Sequence, residues 1–415
     1  MTARVALVLG LAVLGACAKA PPPPPAPRPA PDTAPPPAPP PPAAPPAARR
    51  PEPPPRSLAS VTLSFVGDIN LGTLTIPDGV PPGDGSGLLD AARPALDADL
   101  VIGNFEGVLG DSGTTYKCGP EGRHVPERDS VAAPPQTTKR LCYAFLTPTA
   151  LAPRLVEAGF THLNLANNHA NDFGPDGRAT TVRLLDSLGI RTYGPLGSIA
   201  VDTVRRGDSL TTVGLVGFAT YPHSYDLLDI ERSAAVVDSV RPLVDLLVVT
   251  FHGGAEGARA LHVPEAAESL GREPRGELRA WARAVIDAGA DAVVGHGPHV
   301  LRGIEYYRGK PIAYSLGNFL TYRGFNLAGP LGLTGVLRLE AGPDRRWRGV
   351  RFLPMAQVPR QGPEPDPSKA ALELMRTLSR EDFGSSAARI EDDGRILPPE
   401  RCEPRLTCPV PEIGY

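Results

Sequence analysis

The chain has 415 residues, with 42 Lys and Arg against 45 Asp and Glu, and a formal net charge of −3. That balance leaves no basic surface to argue for nucleic acid as a partner. Five Cys residues, none in a CxxC pattern, argue against a structural zinc site of the thiolate type.

Residues Met1 to Ala16 carry one basic residue, Arg4, followed by an apolar run from Val5 to Val13. The run is too short to span a bilayer as a mature helix and suits the core of a signal peptide. It ends Leu14-Gly15-Ala16-Cys17, which resembles a bacterial lipobox, so 1–16 is expected to be a lipoprotein signal and Cys17 the lipidated first residue of an exported protein. From Pro21 to Arg56 the chain is mostly Pro and Ala with no aromatic residue. Such a segment cannot bury a core and favours extended polyproline II, so 17–60 reads as an anchor and a spacer that holds a domain away from a membrane.

The folded part is expected from Val61. Val61–Val66 reads as a strand running into Gly67-Asp68-Ile69-Asn70, and Leu100–Ile102 as a buried strand ending Gly103-Asn104-Phe105-Glu106. Residues 111–143 are rich in Gly, Pro and polar groups and read as an insertion. It holds Cys118 and Cys142, expected to form one local disulfide, with Cys402 and Cys408 forming another in an oxidising compartment. A short helix at Leu151–Ala158 leads into the stretch Gly159–Gly174, which begins as a strand and then delivers Asn167, Asn168, His169 and Asp172. Asp176 is placed to cap a helix running to about Leu188.

Further strands are expected near Ile190–Tyr193, Ile199–Val204 and Thr212–Phe218. The continuous apolar run Leu246–Phe251 suits a strand covered on both faces and ends in His252. An amphipathic helix over Glu277–Ala288 hands over to Ala292–Val294 and then to His296 and His299. A hairpin follows, Ile304–Tyr307 with Ile312–Ser315, finishing in Asn318; Thr334–Leu339 and Trp347–Met355 are further strands. Beyond Pro359 the periodicity fades apart from a helix near Lys369–Ser379, so 359–415 reads as a tail packed on the domain at 61–358.

Five strands thus end in groups that suit a metal: Asp68, Glu106, Asn168 with His169, His252, and His296 with His299. Carboxylates can bridge cations, imidazole suits Zn, Mn or Fe, and an amide oxygen fills a hard position. The logic is that of a site for two divalent ions. Without metal the crowded carboxylates should repel, and both Asp68 and Glu106 are expected to have raised pKa values.

The six motifs GDINLG, GNFEG, NLANNHANDFG, FHGGAE, GHGPHV and YSLGNF, in this order, resemble the CapA (poly-γ-glutamate capsule synthesis protein) family of the calcineurin-like metallophosphoesterase superfamily. The resemblance covers about Val61 to Val358. It implies an α/β fold, a four-layer αββα sandwich, and a metal-dependent hydrolase or transferase acting on an anionic surface polymer or a phosphoester, alone or with a capsule synthase complex. A non-catalytic polymer-binding or synthase-partner domain is the rival reading. By the same resemblance Asp68, Glu106, Asn168, His252, His296 and His299 are metal ligands, and His169 protonates the leaving group or steadies the transition state. Asn70 stands where many superfamily members have His, and Gly297 where many family members have a second His. Asn70, Asn104, Glu256, Arg302, Asn318 and Arg323 form a second tier, the two Arg residues as contacts for an anionic substrate and Asn318 as a brace for a ligand loop.

Overall fold

The computed structural model describes residues 57–115, 117 and 143–400. The expected signal, Cys17, the spacer up to residue 56, both Cys pairs and most of the expected insertion lie outside the described residues.

The apolar strands pair into two mixed sheets. The first, of eight strands, runs Gly362–Pro365, Trp347–Val358, Leu333–Ala341, Val61–Asn70, Leu100–Phe105, His162–Asn164 and Arg191–Tyr193, with Asn318–Thr321 also paired to Val61–Asn70. The second, of seven, runs Ile304–Tyr307, Lys310–Ala313, Ala292–His296, Leu246–His252, Ser209–Ala219 and Ala200–Arg206, with Tyr225–Asp226 beside Ser209–Ala219. In each sheet the strands at the centre of the site are parallel: Val61–Asn70 with Leu100–Phe105, and Leu246–His252 with Ala292–His296. Their carboxyl ends therefore point the same way, and loops from neighbouring strands meet there.

Three apolar clusters give the layers. Leu63, Phe65 and Leu337 of the first sheet meet Leu215, Val248 and Val294 of the second between the sheets. Leu155 and Leu185, from helices Pro153–Glu157 and Gly174–Ser187, cover the outer face of the first sheet against Val66, Val101 and Leu163. Val237 and Trp281, from helices Ile230–Val240 and Leu278–Asp287, cover the outer face of the second. The result is the expected αββα sandwich. The helix Ala370–Phe383 puts Ala371, Leu372 and Met375 into the cluster between the sheets, so part of the expected tail contributes to the central core.

Two local expectations are corrected. Asp176 does not cap its helix: the helix begins at Gly174, which takes φ +72°, and Asp176 sits in the first turn after Pro175. The helix Ile230–Val240 was not expected; Asp229 caps it, accepting from Arg232 N at 2.9 Å.

One crossing fixes the position of Asp68. A Cβ on Gly67 would lie 1.9 Å from Gly317 O, so only glycine lets the 316–317 loop pass this close. The next residue, Asp68, donates its N–H to Gly317 O at 2.9 Å, and the strand register shifts just after it. The shift re-aims the strand end toward the loops, as bulges near sites do.

The sheet also holds a group that sets a pH dependence. Burial pushes His162 down to about 4, partly opposed by Asp202, whose carboxylate is 3.6 Å away. Between about pH 6.5 and 4 the unfolded chain binds a proton here that the folded chain does not, so stability falls as the pH drops through that window. His162→Gln is expected to flatten the decline by about 1–3 kcal/mol, read from urea midpoints between pH 4 and 7. An unchanged slope would remove His162 from the account of acid stability.

Candidate metal centre

Asp68, Glu106 and His252 come together from three strand ends, two in the first sheet and one in the second. Each is fully buried, and each offers a ligand atom within 4.8 Å of the others. His252 Nδ1 lies 3.1 Å from Glu106 Oε1. Asn104 stands at the middle: its Nδ2 donates to Asp68 Oδ1 at 2.8 Å and to Glu106 Oε1 at 3.3 Å, and lies 3.3 Å from His252 Nδ1. Strand register puts Asn104 there, opposite Asp68 on one side and Asn164 on the other. Its Oδ1 accepts from Asn164 Nδ2 at 3.0 Å and Asn167 Nδ2 at 3.1 Å. The amide network holds the carboxylates in place, and Asn164 and Asn167 are contributors that the sequence reading did not single out as site residues.

Three buried atoms in this region have no hydrogen-bond partner: Glu106 Oε2, His252 Nε2 and Asn168 Oδ1. Leaving a buried acceptor unpaired costs about 1–3 kcal/mol each. Carboxylate, imidazole and amide oxygen are all donors to a divalent cation, so these residues fit a metal.

The electrostatics divide the two carboxylates. Burial, then the charge of Asp68, pushes Glu106 well above the ordinary carboxyl range. Burial alone would raise Asp68 too, but a hydrogen bond from His299 and that residue's charge outweigh it and leave Asp68 below its usual value. The expectation of two raised carboxyls is therefore half corrected, because His299 Nδ1 donates to Asp68 Oδ2 at 3.0 Å. Burial lowers His299, yet Glu106, Asp68 and Glu256 together push it up to about 10. His252 is held well below its usual value by burial and by the charge of Arg275, which keeps its ring neutral, the form that ligates.

His169 sits beside this group with its own partner. Its Nδ1 donates to Asp172 Oδ2 at 2.6 Å, which leaves Nε2 as the nitrogen able to meet a substrate. Lys117 Nζ is 3.0 Å from Asp172 Oδ1 and donates to Asn168 O at 3.2 Å. The His169 ring packs against Phe145, centroids 4.3 Å apart, and the His299 ring against Phe325 at 4.8 Å. A cavity of about 690 Å³ opens here, lined among others by Lys117, Asn168, His169, Glu256, His299 and Phe325.

One expected ligand and the second-tier residues take other places. His296 is buried but outside the group: its Nε2 lies 3.0 Å from Val66 O and its Nδ1 3.3 Å from Phe251 O, so both ring nitrogens face main-chain carbonyls. Asn70 is committed to backbone, donating to Glu106 O at 2.8 Å and accepting from Gly72 N at 3.0 Å. Arg302 does not face a substrate; fully buried, it holds both oxygens of Glu268, at 2.9 and 2.7 Å. Arg323 lies 3.7 Å from Asp78 rather than against the metal group. Asn318 holds the His299 loop, its Oδ1 3.0 Å from His299 Nδ1 and its Nδ2 donating to His299 O, where His299 takes φ +60°. Glu256 lines the cavity and pairs with Arg275 Nη2 at 2.7 Å. Arg275 has no side-chain exposure and was missed in sequence, where Glu273-Pro274-Arg275-Gly276 carries no motif.

A model of the family described as bacterial capsule synthesis protein PGA_cap matches residues 62–323. The chain belongs to that family. Among its relatives, the PGA biosynthesis protein CapA of Bacillus subtilis (strain 168) is 30% identical over 283 residues, 64% of each chain. The capsule biosynthesis protein CapA of Bacillus anthracis is 28% identical over 289 residues, 65% of this chain and 62% of that one. This chain thus matches less than two thirds of either relative's length. The PGA_cap match ends at 323, yet the strands Leu333–Ala341 and Trp347–Val358 complete the same sheet. Among solved structures, the chain is similar to a putative 5′-nucleotidase from Staphylococcus aureus, at 14% identity and TM-score 0.40, covering 76% of this chain and 58% of that one.

Proposed function

We propose that this PGA_cap domain carries a divalent-metal site of the hydrolytic or transfer kind and acts on an anionic surface polymer such as poly-γ-glutamate, or on a phosphoester. The observation that carries the reading is the buried set Asp68, Glu106 and His252, with Glu106 Oε2, His252 Nε2 and the nearby Asn168 Oδ1 lacking any hydrogen-bond partner. An ion bound by these donors, Mn, Fe or Zn by their chemistry, would polarise a carbonyl or phosphoryl oxygen. The chain's own residues do the rest. Asn104 fixes the carboxylates, Asp172 orients His169, and His169 Nε2 is the atom placed to pass a proton to a leaving group. Lys117 brings a positive charge to the cavity wall, and Phe145 and Phe325 flank the imidazoles.

The rival, a polymer-binding or synthase-partner domain without turnover, is favoured by one observation: Asn70 and His296 stand outside the metal group. Metal analysis of the purified protein, with a screen of phosphodiesters and poly-γ-glutamate, separates the two. Metal-dependent cleavage or transfer supports the enzyme; bound polymer with no turnover supports the rival; failure to hold any divalent ion ends the metal reading.

The same proposal places the protein outside the cytoplasm, anchored through Cys17. Among the described residues no helix is long and apolar enough to cross a membrane. Cys17→Ser is expected to abolish fatty-acid labelling and leave precursor or soluble protein. A variant that still labels would contradict the anchor.

A further inference from the structure

The end of the sandwich away from the metal centre carries a groove that the proposed function does not use. The strand Val61–Asn70 carries Asp68 near its far end, while Val61 at its start pairs with Ala341, which in turn pairs with Trp347. At about 3.3 Å per residue, the span from Val61 to Asp68 is on the order of 20 Å. Near this start, two hairpin turns, at 308–310 and 345–350, and the segment 395–398 line a cavity of about 540 Å³. Of the fourteen described residues that line it, six are cationic, Arg308, Lys310, Arg345, Arg346, Arg348 and Arg395, and none is Asp or Glu. In a chain of net charge −3 this concentration of one sign is local.

The carboxylates that steady these cations do not line the cavity. Arg308 is 2.7 Å from Asp287, Arg348 2.6 Å from Asp344, Arg395 2.6 Å from Asp393, and Lys310 pairs with Asp291. Asp344 is shared with Arg346 at 3.9 Å, and Asp291 with Arg241 at 2.6 Å. Arg345 has no carboxylate partner among the described residues. Positive charge is therefore left over, and exposed pairs of this kind are weak enough to exchange partners. Both turns also place arginine where the backbone favours glycine, Arg308 at φ +50° and Arg345 at φ +62°. Asn and Asp are the usual exceptions at positive φ, and strain kept at such positions gathers at binding sites. Residue 291 pins the two turns together: Lys310 of the first pairs with its carboxylate, and Trp347 Nε1 of the second donates to its carbonyl at 2.8 Å.

We propose that this groove is a second binding site, separate from the metal centre, which holds a linear polycarboxylate chain by its side groups. Guanidinium forks match carboxylates, and cations supplied by three separate segments suit repeated charges along a chain better than one small anion. The Pro-rich composition of 21–56 favours an extended spacer, which speaks for a polymer rather than the lipid surface as the occupant. The choice of polymer rests on the anionic surface polymer proposed above; the groove itself does not depend on the metal.

The test is the anisotropy of fluorescein-labelled poly-γ-glutamate titrated with the full chain at low and at physiological salt. One variant combines Arg308→Asn, Arg345→Asn and Arg346→Gln, with Asn chosen because it tolerates positive φ. The wild type is expected to bind, more weakly as salt rises, and the combined variant to lose about tenfold in affinity. Its Zn²⁺-dependent rise in Tm should be that of the wild type, and His252→Ala should bind the polymer as the wild type does. Polymer binding that persists in a protein with no Zn²⁺-dependent rise in Tm would support the groove while ending the metal reading. Equal affinity in the combined variant, or no binding by the wild type, would overturn the proposal and leave the metal reading intact. Binding to phosphatidylglycerol vesicles but not to the polymer would assign the face to a membrane and overturn it as well. Should the combined variant not melt cooperatively, Arg346→Glu decides in its place, since that side chain is 83% exposed: weaker binding supports the groove, and unchanged binding overturns it.

Discussion

His169→Ala is expected to retain its metal and to lose turnover by about 10²–10⁴-fold, the range that general acid–base catalysis supplies. The two halves of that result follow from where the ring sits. Its Nδ1 is taken by Asp172 at 2.6 Å, and it is not one of the three residues whose ligand atoms converge. Burial lowers its pKa, and the Asp172 charge opposes that shift and favours the protonated ring. Asp172→Asn should therefore reproduce much of the loss and move the alkaline limb of the pH–rate profile, where the protonated ring is lost, to lower pH. Loss of metal in His169→Ala would instead make it a ligand and reverse the roles.

His252→Ala should lose the ion altogether. The ring contributes an unpaired Nε2 and is held neutral, so its removal deletes a ligand that no neighbour replaces. In the wild type, a ligand at 100 times its Kd adds about 2.7 kcal/mol of stability. A Zn²⁺-dependent rise in Tm is thus expected for the wild type and none for His252→Ala. The affinity should also rise with pH. Glu106 is pushed well above its usual value in the metal-free site, so binding expels a proton from it, and acid competes with the ion. A Zn²⁺ affinity independent of pH would contradict the placement of Glu106 in the ligand set.

The strands that end in Asp68, Glu106 and His252 were legible because each is an apolar run stopped by a polar group, and the fold then brings such ends together. His296 has the same sequence signature, and the structure sets its ring nitrogens against main-chain carbonyls. A strand-end imidazole can turn to main-chain carbonyls as readily as to a cation, and only the packing of Val66 and Phe251 around it decides. Arg302 and Arg275 show the same limit in opposite directions. The first follows the His299 motif yet is spent on Glu268; the second lies in a stretch with no motif yet is buried beside the metal group. Asn104 lay within a recognised motif, but its central position depends on strand register, which pairs it with Asp68 and Asn164. The helix Ile230–Val240 was not expected because its buried face carries Ser233 beside Val237 and Val240, and tertiary packing of the two Val residues supplies what that short local pattern lacks.

The central claim is that Asp68, Glu106 and His252 hold a cation. Anomalous scattering from crystals grown with Zn²⁺ tests it most directly, because it locates the ion independently of any substrate. The account predicts a peak with a carboxylate oxygen of Asp68, one of Glu106 and a ring nitrogen of His252 at about 2.0–2.2 Å. A saturated crystal with no peak between these three side chains, or with its only peak on surface residues, would contradict it.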